Sequence, residues 1–107
     1  MTVDEFAEVL SGSRLELLED SQYQNRKGQP GYRAVYRGAG FYYWYSVSGT
    51  EIRFALDEVA IAIRSPRRIV MREYPYQNAS GQQGFEATVF SGDHHFMLNL
   101  SPDLPQS

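Results

Sequence analysis

The stretch from Tyr32 to Tyr45 is dominated by aromatic side chains, which make up seven of its fourteen residues. Aromatic residues favour β-strands, and Ala39-Gly40 in the middle of the stretch predicts a two-residue turn. The pairs on the core face of this hairpin are then Tyr36 with Tyr43 and Ala34 with Tyr45. A turn with an odd number of residues would point the arginines of the stretch into the core. Because an unpaired charge there is very costly, the even turn is favoured.

A second hairpin is predicted directly after the first, with Ser48-Gly49 as its turn. The following strand, Thr50 to Leu56, would pair with the strand before the turn, placing Tyr45 opposite Ile52 on the core side. Trp44 would then face Arg53 on the other side. The two hairpins together predict one outward surface, which we call the arginine-aromatic patch: Arg33, Arg37, Tyr42, Trp44 and Arg53.

The residues before the aromatic stretch predict a helix, a strand and a loop. Thr2 with Glu5 three residues later matches a capping box, which predicts a helix over residues 2–10 that Ser11-Gly12 ends. Its buried stripe is predicted to be Val3, Phe6, Val9 and Leu10. A strand is predicted at Leu15–Glu19 and a loop at residues 26–31.

The residues after the second hairpin are harder to assign. Residues 56–63 fit both a strand and a helix, and their β-branched side chains favour a strand. A strand from Arg67 to Tyr74 is expected to end near Pro75, and Gln77 to Gly84 is expected to be a loop. The last hairpin, with Ser91-Gly92 as turn, is predicted to pair Val89 with His94, Ala87 with Phe96 and Phe85 with Leu98, all facing inward.

These elements predict a mainly β fold, with an α+β fold as the alternative. We expect a strongly twisted antiparallel sheet or a partly closed barrel of six to eight strands, with one N-terminal helix packed on it. The length of 107 residues suits a single domain, with a helix over residues 2–10, antiparallel strands within 14–100 and a frayed tail at 101–107. Strand order beyond the predicted hairpins does not follow from the sequence.

The composition excludes several classes of protein. Because the chain has no cysteine, disulfides, thiolate catalysis and sulfur-ligated metal sites are excluded. The sequence contains no run of about 18 apolar residues that could span a membrane, so no membrane insertion is expected. The first residues lack the basic region and apolar run of a secretory signal, which predicts a cytoplasmic protein.

The charge is distributed unevenly along the chain. Residues 1–20 hold six acids and one base, residues 21–72 hold nine bases and three acids, and residues 73–107 hold four acids. Nine of the ten basic residues are arginines, which stack on aromatic rings and bind carboxylates or phosphates in a forked geometry. The basic middle segment, which contains the arginine-aromatic patch, is therefore the predicted binding region.

No catalytic residue, metal site or cofactor is predicted. His94 and His95 are adjacent on a predicted strand, so their side chains point to opposite faces and are poorly placed to bind one ion. If residues 56–63 form a strand, the side chains of the neighbouring acids Asp57 and Glu58 point to opposite faces. If they form a helix, the two acids lie in its first turn, where negative charge is favourable. In both cases a structural role is favoured over catalysis. The sequence also lacks a nucleophile elbow and a glycine-rich nucleotide-binding motif.

The residues therefore favour a non-catalytic binding or regulatory module that docks a protein partner, or a second copy of itself, through the arginine-aromatic patch. One alternative is single-stranded nucleic-acid binding on the same face, with bases stacked on Tyr42 and Trp44. Another is a small lipophilic ligand held inside a lipocalin-like half-barrel. The patch could instead be covered by the N-terminal helix, so the accessibility of Trp44 is the deciding observation.

Overall fold

A computed structural model describes residues 1–12, 14–24, 26–49, 54–77 and 81–103 of the chain. These residues form two helices and six strands. In chain order the elements are α1 (Val3–Gly12), β1 (Glu16–Gln24), β2 (Pro30–Gly38), β3 (Phe41–Ser48), α2 (Leu56–Ile63), β4 (Ile69–Gln77), β5 (Gln83–Ser91) and β6 (His94–Ser101).

The six strands form one open, fully antiparallel sheet in the order β1-β2-β3-β6-β5-β4. The predicted mainly β fold with an N-terminal helix is confirmed, and the sheet is not closed into a barrel. Because β3 and β6 lie side by side at the centre, the last strands of two three-strand units meet there. β1 and β4 form the two edges.

The chain contains two copies of one structural unit, and equivalent residues of the two copies lie 53 positions apart. Each strand of the first half has a counterpart whose first and last residues both lie 53 positions later; Glu16 and Ile69, the first residues of β1 and β4, are one example (69 minus 16). The irregularity after Leu17 in β1 likewise has its counterpart after Val70 in β4. In the sequence, the pattern Tyr-Gln-Asn-x-x-Gly-Gln-x-Gly occurs at 23–31 and again at 76–84. The sheet is therefore two copies of an α-β-β-β unit joined at β3 and β6.

Both helices pack on the same face of the sheet, which we call the core face. α1 begins with the predicted capping box, in which the Thr2 amide donates to Glu5 Oε1 at 3.0 Å and the Glu5 amide donates to Thr2 Oγ1 at 3.2 Å. Phe6 is fully buried, with its ring centroid 6.0 Å from those of both Tyr43 and Phe85. Since Tyr43 belongs to the first half and Phe85 to the second, α1 packs against both halves.

Two polar contacts also tie the first helix to the second half. The amide of Val3 donates to Glu73 Oε2 on β4 at 2.7 Å. The Arg68 guanidinium donates to Asp4 Oδ1 at 2.6 Å and to the carbonyl of Ile63, the last residue of α2, at 2.9 Å. The hydrogen bond from Arg68 lowers the pKa of the Asp4 carboxyl, and the charge of Arg68 acts in the same direction. The two repeats are therefore held together on the core face as well as through β3 and β6.

The hairpin of β2 and β3 has the predicted register. Tyr36 lies opposite Tyr43, and Ala34 lies opposite Tyr45. The turn residues Ala39 and Gly40 have φ of 52° and 82°. Positive φ at both turn positions is typical of the type I′ turn, whose twist matches that of the flanking strands.

The hairpin predicted at Ser48-Gly49 is wrong. β3 pairs with β2 on one side and with β6 on the other, so neither of its edges is open to a strand formed by the residues that follow it. Leu56 begins α2 instead of ending a strand. Residues 50–53, which include the predicted partners Ile52 and Arg53, lie outside the described residues. Trp44 is flanked instead by Val35 and Asn99.

The strand favoured for residues 56–63 is also wrong, because these residues form α2. Glu58 caps the helix by accepting a hydrogen bond from the Ala55 amide at 3.1 Å. Val59, Ala60 and Ile63, spaced one and three residues apart, are all fully buried in the core cluster with α1 and the sheet. Burial of this helical stripe outweighs the β-propensity of valine and isoleucine, which is only a weak preference.

The last hairpin differs from the prediction by two residues in register. Ser91 pairs with His94 and Val89 with Phe96, so the turn is Gly92-Asp93, where Gly92 has φ of 59°. Moving a turn by one residue shifts the pairing by two, which keeps every side chain on its predicted face. β4 continues through Pro75 to Gln77, as proline is tolerated on an edge strand.

Candidate docking surface

The face of the sheet opposite the two helices, which we call the outer face, is not covered by any helix of the described chain. Tyr43 and Tyr45 belong to the core cluster, so Trp44 between them points to the outer face. Val35, directly opposite Trp44, is fully buried yet is not part of the core cluster. Its outer-face neighbours must therefore cover it, so this surface has a small apolar centre of its own.

Four of the five residues of the arginine-aromatic patch lie on this outer face. Arg37 is next to Tyr42, and Arg33 and Trp44 occupy neighbouring rows of the same two strands. Trp44 and Tyr42 are partly exposed, whereas Arg37 is exposed. The indole is thus neither buried in the core nor fully in solvent. Arg53, the fifth residue, lies outside the described residues.

Two arginines of the patch, Arg33 and Arg37, are paired with acids from the edge strand β1. Arg37 Nη2 lies 2.7 Å from Glu16 Oε2, and Arg33 Nη1 lies 3.9 Å from Glu19 Oε1. The hydrogen bond from Arg37 to Glu16, followed by the charge of Glu16, raises the pKa of the guanidinium. Both pairs are partly solvent-exposed and so contribute little to stability. Their main effect is to balance the charge of this corner.

An exposed apolar corner lies at the opposite end of the outer face, and sequence reasoning missed it. Ile69 on β4 pairs with Phe90 on β5, and Met97 on β6 is a diagonal neighbour of Phe90. Their exposed fractions are 59% for Ile69, 39% for Phe90 and 46% for Met97. The signal was present in the predicted alternation, because inward Val89 and Phe96 require Phe90 and Met97 to point outward.

The internal repeat shows that these two corners are equivalent positions with different chemistry. The charged corner is formed by Glu16, Arg37 and the neighbouring Trp44. Their counterparts 53 positions later are Ile69, Phe90 and Met97. In the core, by contrast, the counterparts keep their apolar character; Ala34 and Ala87 are one such pair. The two halves thus have similar core residues but present different side chains at these corners of the outer face.

On the outer face, one tyrosine from each edge strand packs over a glycine of the neighbouring strand. Tyr23 lies over Gly31, and its hydroxyl is 3.3 Å from Ser48 Oγ. Its counterpart Tyr76 lies over Gly84 and donates to the Leu100 carbonyl at 2.8 Å. Each tyrosine covers the site where a glycine leaves the sheet bare, a known way to stabilise strands that contain glycine.

A groove of about 860 Å³ lies on the outer face beside the loop that joins β1 to β2. Its lining includes Ser46, Phe90, His95 and Met97 from the strands and Arg26 and Lys27 from the loop. The His95 ring stacks on Phe90, with centroids 4.4 Å apart and planes 15° from parallel. His95 Nε2 is shielded from solvent and has no hydrogen-bond partner in the described chain. Burial lowers the pKa of the His95 imidazole.

The edges of the sheet are less suited to binding than its face. Bulges interrupt the pairing of both edge strands, between Leu17 and Glu19 in β1 and between Val70 and Arg72 in β4. β4 also contains Pro75, which cannot donate a backbone hydrogen bond. Bulges and prolines on edge strands disfavour the addition of another strand.

The described residues contain no group of three or more histidine, aspartate or glutamate side chains that could hold a metal ion. His94 packs on the core face against Phe54 and Phe96, whereas His95 stacks on Phe90 on the outer face. Asp57 and Glu58 occupy the first turn of α2, where the helix dipole favours negative charge. Neither described helix is long and apolar enough to cross a membrane.

Comparison of the chain with protein-family models, with curated proteins and with solved structures gives no match.

Proposed function

We propose that this protein is a non-catalytic binding or regulatory module that docks a protein partner on the outer face of its sheet. The observation that supports this most is the exposed apolar corner of Ile69, Phe90 and Met97, in which Met97 is a diagonal neighbour of the partly exposed Trp44. Exposed apolar surface of this kind, with aromatic, methionine and arginine side chains around it, is typical of protein interfaces. The cytoplasmic location stays a prediction.

The contacts of the arginines on the strands of the outer face support a protein partner over a nucleic acid. Arg33 and Arg37 are both paired with glutamates of β1, so much of their positive charge is balanced locally. On the second half, Arg72 lies over the ring of Tyr74, 4.9 Å from its centroid, and Tyr74 donates a hydrogen bond to Glu86. A surface that binds a phosphate backbone needs unbalanced positive charge.

The core face offers less support to a lipophilic ligand inside a half-barrel. The sheet is open, and both helices pack on that face, with Phe6 between Tyr43 and Phe85. The outer face is thus the better supported binding surface.

The test is capture of binding proteins by the immobilised protein from cells that express it. The double variant Phe90→Asp/Met97→Asp places two charges in the apolar corner, and we expect it to lose at least about tenfold in affinity for the captured protein. Ile61→Asp is the control, because Ile61 is 68% exposed but lies on α2, away from the outer face. Equal capture by the double variant and the wild type would contradict the proposal.

A second copy of the chain is the other partner that this face could bind. Sedimentation velocity of the purified protein separates the two cases. If the wild type dimerises and Phe90→Asp/Met97→Asp is monomeric, the partner is a second copy. If both are monomeric, the docked protein is a different chain.

A further inference from the structure

We infer that the groove beside the β1–β2 loop receives a short acidic and apolar segment of the docked partner, in which a carboxylate lies next to a large apolar side chain. This inference rests on the proposed function, because the groove shares Phe90 and Met97 with the apolar corner. A partner on the outer face would therefore reach the groove without a break in the contact surface.

The two bases of the loop are the first reason for this assignment. Arg26 and Lys27 are exposed and line the groove. Their counterparts in the sequence of the second half are Ala79 and Ser80. The two residues that follow, Gly-Gln, are the same in both halves, and Gly28 and Gly81 both have φ of 77°.

The glycine has the same backbone angle with and without the two bases before it, so this backbone conformation does not require them. They add positive charge to one wall of the groove in the first half only. A carboxylate is the group in a protein partner that such a wall attracts, and an arginine can bind it through two hydrogen bonds.

The floor of the groove is the second reason, because it combines apolar and polar groups. Phe90 and Met97 offer an exposed apolar surface for a side chain. His95 is also part of this floor, and its Nε2 atom is shielded from solvent and has no hydrogen-bond partner in the described residues. Because Nε2 is shielded, the surface that this part of the groove offers to a partner is the apolar one of Phe90 and Met97.

Among the described residues that line the groove, one is an acid, and its position limits where the carboxylate can lie. Asp93 belongs to the turn between β5 and β6, whereas Arg26 and Lys27 belong to the loop between β1 and β2. Repulsion from Asp93 disfavours a second negative charge at that turn. The carboxylate should therefore lie against the loop, with the apolar side chain over Phe90 and Met97.

The test uses a random library of eight-residue peptides displayed on phage and selected on the immobilised protein. We expect the selected peptides to share an aspartate or glutamate beside leucine, isoleucine or phenylalanine. The most frequent peptide is then synthesised with a fluorescent label, and its Kd is measured by anisotropy. Replacing its acid by the corresponding amide should weaken binding about tenfold, or about 1.4 kcal/mol.

The protein variant that tests the groove is Arg26→Glu/Lys27→Glu, and its control is Arg14→Glu/Arg67→Glu. Both change the charge by the same amount at exposed positions, but Arg14 and Arg67 do not line the groove. We expect the first variant to lose about tenfold or more in peptide affinity and the control to change less than about twofold. Selected peptides without an acid, or equal affinity in the two variants, would overturn the inference.

Failure of this inference can be told apart from failure of the proposed function. If Arg26→Glu/Lys27→Glu still captures the protein partner while Phe90→Asp/Met97→Asp does not, the outer face remains the docking surface and only the role of the groove is wrong. If neither variant affects capture, the docking surface itself is wrong.

Discussion

Tyr45 on β3 lies directly opposite Leu98 on β6, and each is the counterpart of the other in the 53-residue repeat. An approximate two-fold axis through this pair therefore relates the two halves of the sheet. The same two-fold axis relates the pair of Trp44 and Asn99 to the pair of Met97 and Ser46. Because each position has a counterpart in a similar backbone setting, the chain offers matched pairs of sites for experiment.

The first prediction concerns Gly31 and Gly84. A Cβ at Gly31 would lie 2.8 Å from the Val47 carbonyl oxygen, and one at Gly84 would lie 2.7 Å from the Leu100 carbonyl oxygen. Backbone atoms inside a sheet cannot move away easily, so alanine at either position should lower the free energy of unfolding by about 1–3 kcal/mol.

The control for these two glycines is Gly12→Ala at the end of α1, where a Cβ would meet nothing within 4 Å. Alanine is preferred to glycine in helices, so this change should be neutral or slightly stabilising. Urea unfolding measures all three variants. A loss at Gly31 or Gly84 no larger than that at Gly12 would show that the tyrosine and glycine packing is looser than described.

The second prediction concerns the pH dependence of stability. Burial lowers the pKa of His95 below its ordinary value of 6.5. The unfolded chain therefore takes up this proton at a higher pH than the folded protein does. The free energy of unfolding should fall as the pH drops from 6.5 through the lower folded-state pKa of His95.

The variant that checks this is His95→Phe, which keeps an aromatic ring next to Phe90 but cannot take up a proton. Urea unfolding at pH 7.5 and at a pH of about 5 should show a smaller decrease for the variant than for the wild type. His94→Phe, on the core face, is the control for replacing an imidazole. Equal decreases in the wild type and His95→Phe would mean that His95 is not desolvated by folding.

The third prediction concerns the stability of the apolar corner. Phe90 and Met97 are 39% and 46% exposed, so each buries only about half of its side chain. The free energy of unfolding of Phe90→Ser/Met97→Ser should therefore fall by about 2 kcal/mol for the two changes together. A much larger loss would indicate that these side chains serve the fold more than binding. In contrast, Phe6→Ala in the core should cost about 3–5 kcal/mol.

The fourth prediction concerns nucleic acid. Because Glu16 and Glu19 neutralise Arg37 and Arg33, oligo-dT should bind the wild type weakly and with a shallow dependence on salt. Glu16→Gln/Glu19→Gln removes both acids and should strengthen the binding of oligo-dT, measured by fluorescence anisotropy at low salt. Tight binding to the wild type that falls steeply with salt would instead favour the nucleic-acid alternative.

Local patterns predicted the first hairpin well. Alternation of side chains and the Ala39-Gly40 turn determine the register of β2 with β3, and both are readable over a few residues. The same reading placed Arg33, Arg37, Tyr42 and Trp44 on one face, where the structure has them. The partner of β3 on its other side could not be read locally, because β6 lies about fifty residues further along the chain.

The helix at residues 56–63 and the internal repeat were not predicted from local patterns. The helix at residues 56–63 is decided by burial against α1 and the sheet, which outweighs the preference of Val59 and Ile63 for strands. The internal repeat was readable, since Tyr-Gln-Asn-x-x-Gly-Gln-x-Gly occurs twice in the sequence. Aligning the two copies would have shown that α2 is the counterpart of α1 and that residues 56–63 are a helix.

Site-specific photo-crosslinking tests the docking surface most directly. A photoreactive phenylalanine analogue is placed at position 97 on the apolar corner, at position 44 beside it, or at position 61 on α2 as the control. The outer-face account predicts that positions 97 and 44 crosslink to the same protein in cells and that position 61 does not. Crosslinks from position 61 but not from positions 97 and 44 would place the partner on the helical side and contradict the account.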